Sequence, residues 1–187
     1  MNAGHGTTSN DAVTVAYDAG TGTERWVASY DGPGGGSDAA YSLDVSPDGA
    51  RVFVSGHSYP PDRSRSAALV VAYDAATGEL RWSSRYDGPA GCNDYANDYA
   101  NAVAAGTGAV YVTGASEAPG TRLDVATVSY DAATGEELCV ARYDGPAGGG
   151  DLGRAVALGP DGSIYVAGET TSRRGYHDYV TIRYRGS

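Results

Sequence analysis

The segment AALVVAYDAATGELRWSSRYDGP, residues 67–89, decides the fold because it occurs three times in this chain of 187 residues. Related copies start at Asp11 and Asp124, so that the three starts are 56 and 57 residues apart, and a fourth copy begins at Asp178 with DYVTIRY. A fixed period of this length predicts a repeat architecture, in which each unit buries its apolar face only against its neighbours.

Each repeat contains four short runs that are rich in Val, Tyr, Ile and Thr. Two runs lie in the quoted segment, and two more precede it, as in YSLDV at residues 41–45 and RVFVSG at residues 51–56. Turn sequences separate the runs, for example Pro-Asp-Gly from Pro47 and Ala-Thr-Gly from Ala76. This pattern is typical of antiparallel strands joined by tight turns, and no stretch has a sustained helical period. We therefore predict an all-β fold, a β-propeller built from four-stranded antiparallel blades.

Two resemblances to known families agree with this prediction. The run DYVTIRY at residues 178–184 resembles the SBBP-type β-propeller repeat. The sequence AYDAGTGTERW at residues 16–26 and the equivalent residues 72–82 resemble the tryptophan-docking motif A-x-D-x-x-T-G-x-x-x-W of PQQ-like (quinoprotein-like) propellers. The third copy departs from that motif at Ser129 and Cys139. The resemblances imply a propeller but little about chemistry, because propeller blades host many functions.

The repeats predict thirteen strands: two outer strands, two complete blades and three inner strands. By analogy with WD-type blades, the run before the Pro-Asp-Gly turn is innermost and the Trp-bearing run is outermost. Closed propellers have 4–8 blades, so about three blades make either a partial propeller or a ring that is completed by oligomerisation. Residues 1–187 then form a single partial domain, with repeats at approximately 11–66, 67–123 and 124–177 and a fourth starting at 178–187.

Composition restricts the partners and the location. A net charge of −10 argues against nucleic acid, because phosphate binding needs an excess of Lys and Arg. No apolar run approaches the ~20 residues that span a bilayer, and residues 1–10 do not have the pattern of a signal peptide. The SBBP resemblance implies a bacterial exported or cell-surface protein, although the residues themselves leave the location open. The expected partners are the missing blades of a longer chain or other copies of this one, and a protein or glycan ligand.

One rim of the propeller is the candidate ligand-binding site. Asp38, Asp98 and Asp151 each follow a Gly-rich loop and precede an innermost strand, so all three are expected to face the mouth of the channel. An inserted NDYA sequence in the second copy adds Tyr95 and Tyr99 to the same rim. Converging carboxylates would suit Ca²⁺, which takes oxygen ligands; the alternative is that they cap loops. No other cofactor is expected.

Other repeated residues are assigned structural roles. Trp26 and Trp82 are expected to be buried between neighbouring blades, and Cys139, which occupies the same position in the third copy, is expected to be buried as well. Three aspartates precede an x-x-Thr-Gly turn and are expected to accept hydrogen bonds from its backbone: Asp18, Asp74 and Asp131.

We interpret the chain as a non-catalytic β-propeller scaffold for ligand or protein binding, and as part of a larger protein. Two alternatives stay open: a fragment of a propeller enzyme, either a quinoprotein-like dehydrogenase or a lactonase-type protein, and a self-assembling structural module. Quinoprotein dehydrogenases have a vicinal cysteine pair, whereas Cys92 and Cys139 are far apart here. The sequence shows neither a Ser-His-Asp arrangement nor zinc-ligand spacing, so we assign no catalytic residue.

Overall fold

The computed structural model describes residues 10–33, 35–60, 62, 65–89, 98–118 and 120–185. These residues form thirteen β-strands and no helix, which confirms the predicted all-β fold class. The described part of the chain accordingly contains no helix that could cross a membrane.

The strands form four antiparallel sheets that follow one another along the chain. Two strands come first, then two complete four-stranded sheets, then three strands, which is the arrangement that the repeats predict. The first sheet contains β1 (Ala12–Tyr17) and β2 (Glu24–Tyr30), and the second contains β3 (Asp38–Val45), β4 (Arg51–Ser58), β5 (Ala67–Asp74) and β6 (Leu80–Tyr86). The third contains β7 (Tyr99–Ala105), β8 (Ala109–Glu117), β9 (Leu123–Asp131) and β10 (Glu137–Tyr143), and the fourth contains β11 (Leu152–Leu158), β12 (Ile164–Thr171) and β13 (His177–Tyr184).

The innermost strands of successive blades contact one another directly. The Asp44 carboxylate on β3 accepts a hydrogen bond of 2.8 Å from the backbone N–H of Ala105 on β7. The Asn101 side chain on β7 donates a 2.8 Å hydrogen bond to the backbone carbonyl of Gly153 on β11. Polar side chains therefore link the three inner strands in chain order.

The core lies between the sheets. Strand residues point alternately to the two faces of a sheet, and β5 is buried along almost its whole length because the first and third sheets cover its two faces. Phe53 and Trp82 of the second sheet pack with Val110, Val128 and Tyr130 of the third. Stacking of blades thus supplies the apolar burial that no single sheet could provide.

Each tryptophan docks on a turn of the following blade. The Trp82 indole N–H donates a 3.2 Å hydrogen bond to the carbonyl of Ala132, and the side chain is 9% exposed. Its ring lies so close to Gly135 that a Cβ atom on that glycine would be 2.5 Å from the ring, and Gly135 has a φ of +75°. Trp26 makes the equivalent contacts with the Ala75 carbonyl, at 3.0 Å, and with Gly78.

The turn under the indole is shaped by its aspartate. One carboxylate oxygen of Asp74 accepts hydrogen bonds from the backbone N–H groups of Ala76 and Thr77, both at 3.0 Å, and from the Thr77 hydroxyl. The other oxygen pairs with Arg81 at 2.7 Å. The Arg81 guanidinium and the Thr77 donors lower the pKa of Asp74 to about 2. Asp18 and Asp131 accept the same backbone bonds in their own turns.

The expectation that Cys139 is buried is wrong. Cys139 is exposed, although it occupies the position of the two tryptophans. Trp26 and Trp82 dock on the turns that follow β5 and β9, the third strands of the next sheets. The equivalent turn for Cys139 would follow β13, which is the last described strand. Cys139 instead lines an open groove together with Leu138, Ile164 and Tyr184.

Replacing Trp82 by alanine should destabilise the protein by about 3–5 kcal/mol, because the change removes a large buried side chain and empties the contact with the next blade. Chemical denaturation followed by circular dichroism measures this loss. The control is Leu80→Ala on the same strand, where the side chain is 51% exposed, and it should cost less than about 0.5 kcal/mol. Equal effects of the two changes would contradict the docking role of Trp82.

Candidate functional site

The predicted rim aspartates are buried, and each closes a loop between two blades. The loop runs from the outermost strand of one sheet to the innermost strand of the next. Asp38, Asp98 and Asp151 are 2%, 3% and 0% exposed. Each carboxylate accepts a hydrogen bond from the glycine N–H of the preceding Tyr-Asp-Gly-Pro sequence: Gly32 to Asp38 at 2.8 Å, Gly88 to Asp98 at 2.8 Å and Gly145 to Asp151 at 2.6 Å.

These loop closures leave no room for a side chain at the glycine. A Cβ atom on Gly32 would lie 2.4 Å from the Ser58 hydroxyl, and one on Gly88 would lie 2.1 Å from the Ser116 hydroxyl. Burial also raises the pKa of Asp98, although its hydrogen bonds to Ser116 and Gly88 oppose that shift. The glycine of each copy is therefore required by close approach of the loop to a buried carboxylate and hydroxyl.

The structure does not bring the three rim aspartates together. Among the described residues, one group of three acidic, histidine or cysteine side chains has ligand atoms within 4.8 Å of one another, and it consists of Asp124, Asp144 and Asp151. Asp151 is thus the one predicted rim aspartate that belongs to such a group. Tyr95 lies outside the described residues.

Tyr99, the other predicted rim tyrosine, belongs to a cluster of aromatic rings between the second and third sheets. We call Tyr41, His57, Tyr59 and Tyr99 the rim cluster. The His57 ring lies 5.1 Å from the Tyr59 ring and 5.5 Å from the Tyr99 ring, both edge-on. The Tyr41 hydroxyl is 2.5 Å from Nδ1 of His57, and the hydroxyls of Tyr59 and Tyr99 are 3.4 Å apart.

Burial shifts the pKa values of His57 and Tyr99 in the rim cluster. It lowers the pKa of His57, and the more distant Asp38 carboxylate opposes this only in part. Burial and the adjacent Tyr59 raise the pKa of Tyr99 to about 12. At neutral pH His57 is therefore a neutral imidazole and Tyr99 is an uncharged phenol.

Sequence reasoning identified Tyr99 but missed the other members of the rim cluster. Tyr41 and His57 lie on β3 and β4, and Tyr59 lies in the connection after β4, whereas Tyr99 belongs to the next blade. No local motif therefore contains all members of the cluster. An alignment of the repeats holds a weak signal, because Tyr41 and His57 are equivalent to Arg154 and Glu169, which form an ion pair of 3.1 Å in the fourth sheet. The same two positions therefore hold interacting polar side chains in both blades.

A cleft of about 440 Å³ lies next to the rim cluster and shares Tyr99 with it. Its other lining residues are Glu117, Arg122, Leu123 and Gly150. An aromatic ring combined with one acidic and one basic side chain offers stacking and hydrogen bonds of both polarities. Such a lining suits a polar organic ligand, such as a side chain of a peptide or a sugar ring.

Comparison with known proteins gives a family and a fold. A family model for PQQ-like repeats, described as outer membrane protein assembly factor BamB, matches residues 9–127, which is more than half of the chain. A search of curated proteins found no match.

Among solved structures, the WD40 repeats of RRP9 superpose with a TM-score of 0.58 and 14% identity, over 95% of this chain and 46% of that one. At this identity the likeness shows the propeller fold alone, and the chain spans less than half of that structure's length. BamB from Moraxella catarrhalis aligns at 13% identity over 92% of this chain and 76% of that one, with a TM-score of 0.15, and no conclusion rests on it.

The lowered pKa of His57 predicts a stability that depends on pH. The unfolded chain takes up a proton near pH 6.5, whereas folded His57 does so only at lower pH. The contribution of His57 is therefore fully present above about pH 6.5 and is lost as the pH falls through the folded pKa. Denaturation between pH 7.5 and 5 should show a steeper loss of stability for the unmodified protein than for His57→Gln.

The exposed His177 provides the control for this measurement. His177→Gln should follow the pH profile of the unmodified protein. If His57→Gln also follows that profile, then His57 is not held in its neutral form by burial.

Proposed function

Since the chain belongs to the family of the outer membrane protein assembly factor BamB, we propose that it is a non-catalytic β-propeller scaffold that binds proteins. The family description names a factor that acts in the assembly of other proteins, which supports a protein as the class of partner. The first binding event in this proposal is completion of the propeller by further blades.

Exposed apolar side chains on the first sheet support this proposal. Equivalent positions of β1 and β5 hold apolar or aromatic residues in both strands, but another blade covers only those of β5. The covered side chains on β5 are Leu69, Val71 and Tyr73, which are 2%, 1% and 3% exposed. The uncovered ones on β1 are Val13, Val15 and Tyr17, which are 53%, 38% and 60% exposed. The repeat itself therefore indicates that a blade is the surface that fits here.

The innermost strand of the second sheet is uncovered in the same way. Leu43 on β3 is 59% exposed, whereas the equivalent Val103 on β7 is 6% exposed and packs against the preceding blade. A groove of about 250 Å³ between β1 and β3 is lined by Val13, Val15 and Leu43 among others. The inner two strands of the first blade would occupy this groove.

The last sheet is open at its other edge. Tyr179 on β13 is 89% exposed, whereas the equivalent Ala68 and Val125 are 7% and 0% exposed. The groove of about 600 Å³ that contains Cys139 lies between the third sheet and β13, where the fourth strand of the last blade would be. Contiguous apolar exposure of this kind marks an interaction surface.

The covering blades come either from a longer chain or from other copies of this chain. A specific observation keeps self-assembly as the second candidate function. The first sheet has the third and fourth strands of a blade, and the last sheet has the first, second and third strands. Two copies together could thus complete one blade if one of the two equivalent third strands were displaced.

The rim cluster and the adjacent cleft are the proposed binding surface for a further ligand, either a protein or a glycan. Tyr99 is central to this surface because it belongs to the rim cluster and also lines the cleft. The resemblance to SBBP-type repeats supports an exported or cell-surface location for this scaffold. A catalytic alternative has no comparable support, because the cleft and the rim cluster offer stacking and hydrogen bonding without an arrangement that we can assign to a reaction.

The size of the chain in solution tests the completion of the propeller. We expect self-association in sedimentation velocity experiments, together with binding of a hydrophobic dye to any remaining monomer, because the faces at Val13 and Val15 are uncovered. The double change Val13→Thr with Val15→Thr should weaken both signals while it leaves the melting temperature of the monomer within a few degrees.

Leu80→Thr is the matched control, since Leu80 is equally exposed but lies on an outermost strand. It should leave self-association unchanged. A compact monomer that does not bind the dye would show that the open faces need no partner and would refute the proposed completion.

A further inference from the structure

Among the described residues, the acidic group at the junction of the third and fourth sheets is the one place where three carboxylates lie close enough to share a ligand. The equivalent aspartates of the first copy, Asp11, Asp31 and Asp38, also have a buried oxygen without a partner, but they form no such group. Asp124 is the second residue of β9, Asp144 follows β10 and Asp151 precedes β11, so the group joins a strand to the loop between two blades. One oxygen of each carboxylate lies within 4.8 Å of the others. Asp124 and Asp151 are 4% and 0% exposed, and Asp144 is exposed.

The charges of this group are incompletely balanced. Arg142 is the basic partner, with its guanidinium 3.0 Å from Oδ2 of Asp124. With three carboxylates and one guanidinium, the group has an excess of two carboxylates. Asp144 is exposed, but Asp151 is buried, where an unbalanced charge is costly. A divalent cation has the charge that would neutralise them.

Unpartnered oxygen atoms lie at the same place. The hydroxyl of Thr170 has no hydrogen-bond partner, although the residue is only 9% exposed. It lies beside Asp151, because a Cβ atom on Gly145 would be 2.1 Å from the Thr170 hydroxyl and 2.8 Å from Oδ1 of Asp151. Oδ1 of Asp124 is also buried without a partner. Buried polar atoms normally have a partner, so these two oxygens point to a ligand that supplies one.

We propose that Asp124, Asp144 and Asp151, together with the hydroxyl of Thr170, bind a divalent cation. The Asp151 oxygens already accept hydrogen bonds from the N–H groups of Gly145 and Thr171, but a carboxylate oxygen has a second lone pair for a cation. A set of carboxylate and hydroxyl oxygens in irregular geometry suits Ca²⁺ better than Mg²⁺, which requires a near-ideal octahedron. The exposed Asp144 is the side at which the ion enters.

The second copy of the repeat shows what the site requires. Asp87 and Asp98 are equivalent to Asp144 and Asp151, but Ala67 stands where β9 has Asp124. Arg85, the equivalent of Arg142, has a buried Nε without a partner there. Oδ1 of Asp98 is also buried without a partner. This junction therefore has an unpartnered oxygen but only two of the three carboxylates, which makes it a matched site that should not hold the cation.

Calorimetric titration of the chain with CaCl₂, and melting curves with and without it, test the proposal. Ca²⁺ should bind with one site per chain and raise the melting temperature, because it links β9 to the loop between the blades, and MgCl₂ should bind at least tenfold more weakly. Asp144→Asn should weaken Ca²⁺ binding at least tenfold. Thr170→Val, which keeps the shape of the side chain, should weaken it by a smaller factor.

Asp87→Asn is the control, since Asp87 is exposed like Asp144 and lies at the junction with Ala67. It should keep the affinity and the rise in melting temperature of the unmodified chain. Absence of heat and of a melting shift with millimolar Ca²⁺ would overturn the proposal. An Asp144→Asn variant that binds Ca²⁺ as tightly as Asp87→Asn would overturn it equally.

Discussion

The contact between a tryptophan and the turn of the following blade is the interaction on which the rest of the fold depends. The turn is shaped within its own blade by Asp74 and by glycine at positive φ, and the indole that covers it comes from the blade before. One short motif therefore sets both a local turn and the packing of two sheets. The first sheet shows its importance, because a two-stranded sheet has little stability alone and Trp26 fixes it to the second.

Most of the fold could be predicted because its signals are local. Strand runs and turn residues each lie within a few residues of sequence, and the repeat period of 56 and 57 residues groups them into blades. Together they predicted the strand arrangement of all four sheets. Cys139 shows where this approach fails. Its position in the motif suggested burial, but burial depends on a turn in the next blade. The register shifts between Ala40 and Ser42 and between Ala100 and Ala102 also have no sequence signal, because a bulge depends on two paired strands.

The candidate site was harder to predict than the fold. Asp98 and Asp151 directly precede inner strands, as predicted, and Asp38 is the first residue of β3. The sequence does not show that each carboxylate accepts a hydrogen bond from a glycine N–H of its own loop. Asp98 is thereby buried, while Tyr99 beside it reaches the rim cluster. The contact between His57 and Tyr99 joins two different repeats. A repeat pattern predicts the strands that all units share, but it does not predict side-chain contacts that occur between only one pair of units.

Differences between the repeats place the proposed ligand surface next to the faces that lack a covering blade. Val13 on the first sheet, Leu43 on the second and Tyr179 on the last are exposed where another blade would cover them. The rim cluster lies where the second and third sheets meet, and Tyr99 extends it toward the cleft beside the fourth. Both blades that form the rim cluster are complete four-stranded sheets. The contacts among its members therefore lie within this chain. Tyr41 also lines the groove between β1 and β3 that the missing strands would occupy, so covering that face would enclose one side of the proposed ligand surface.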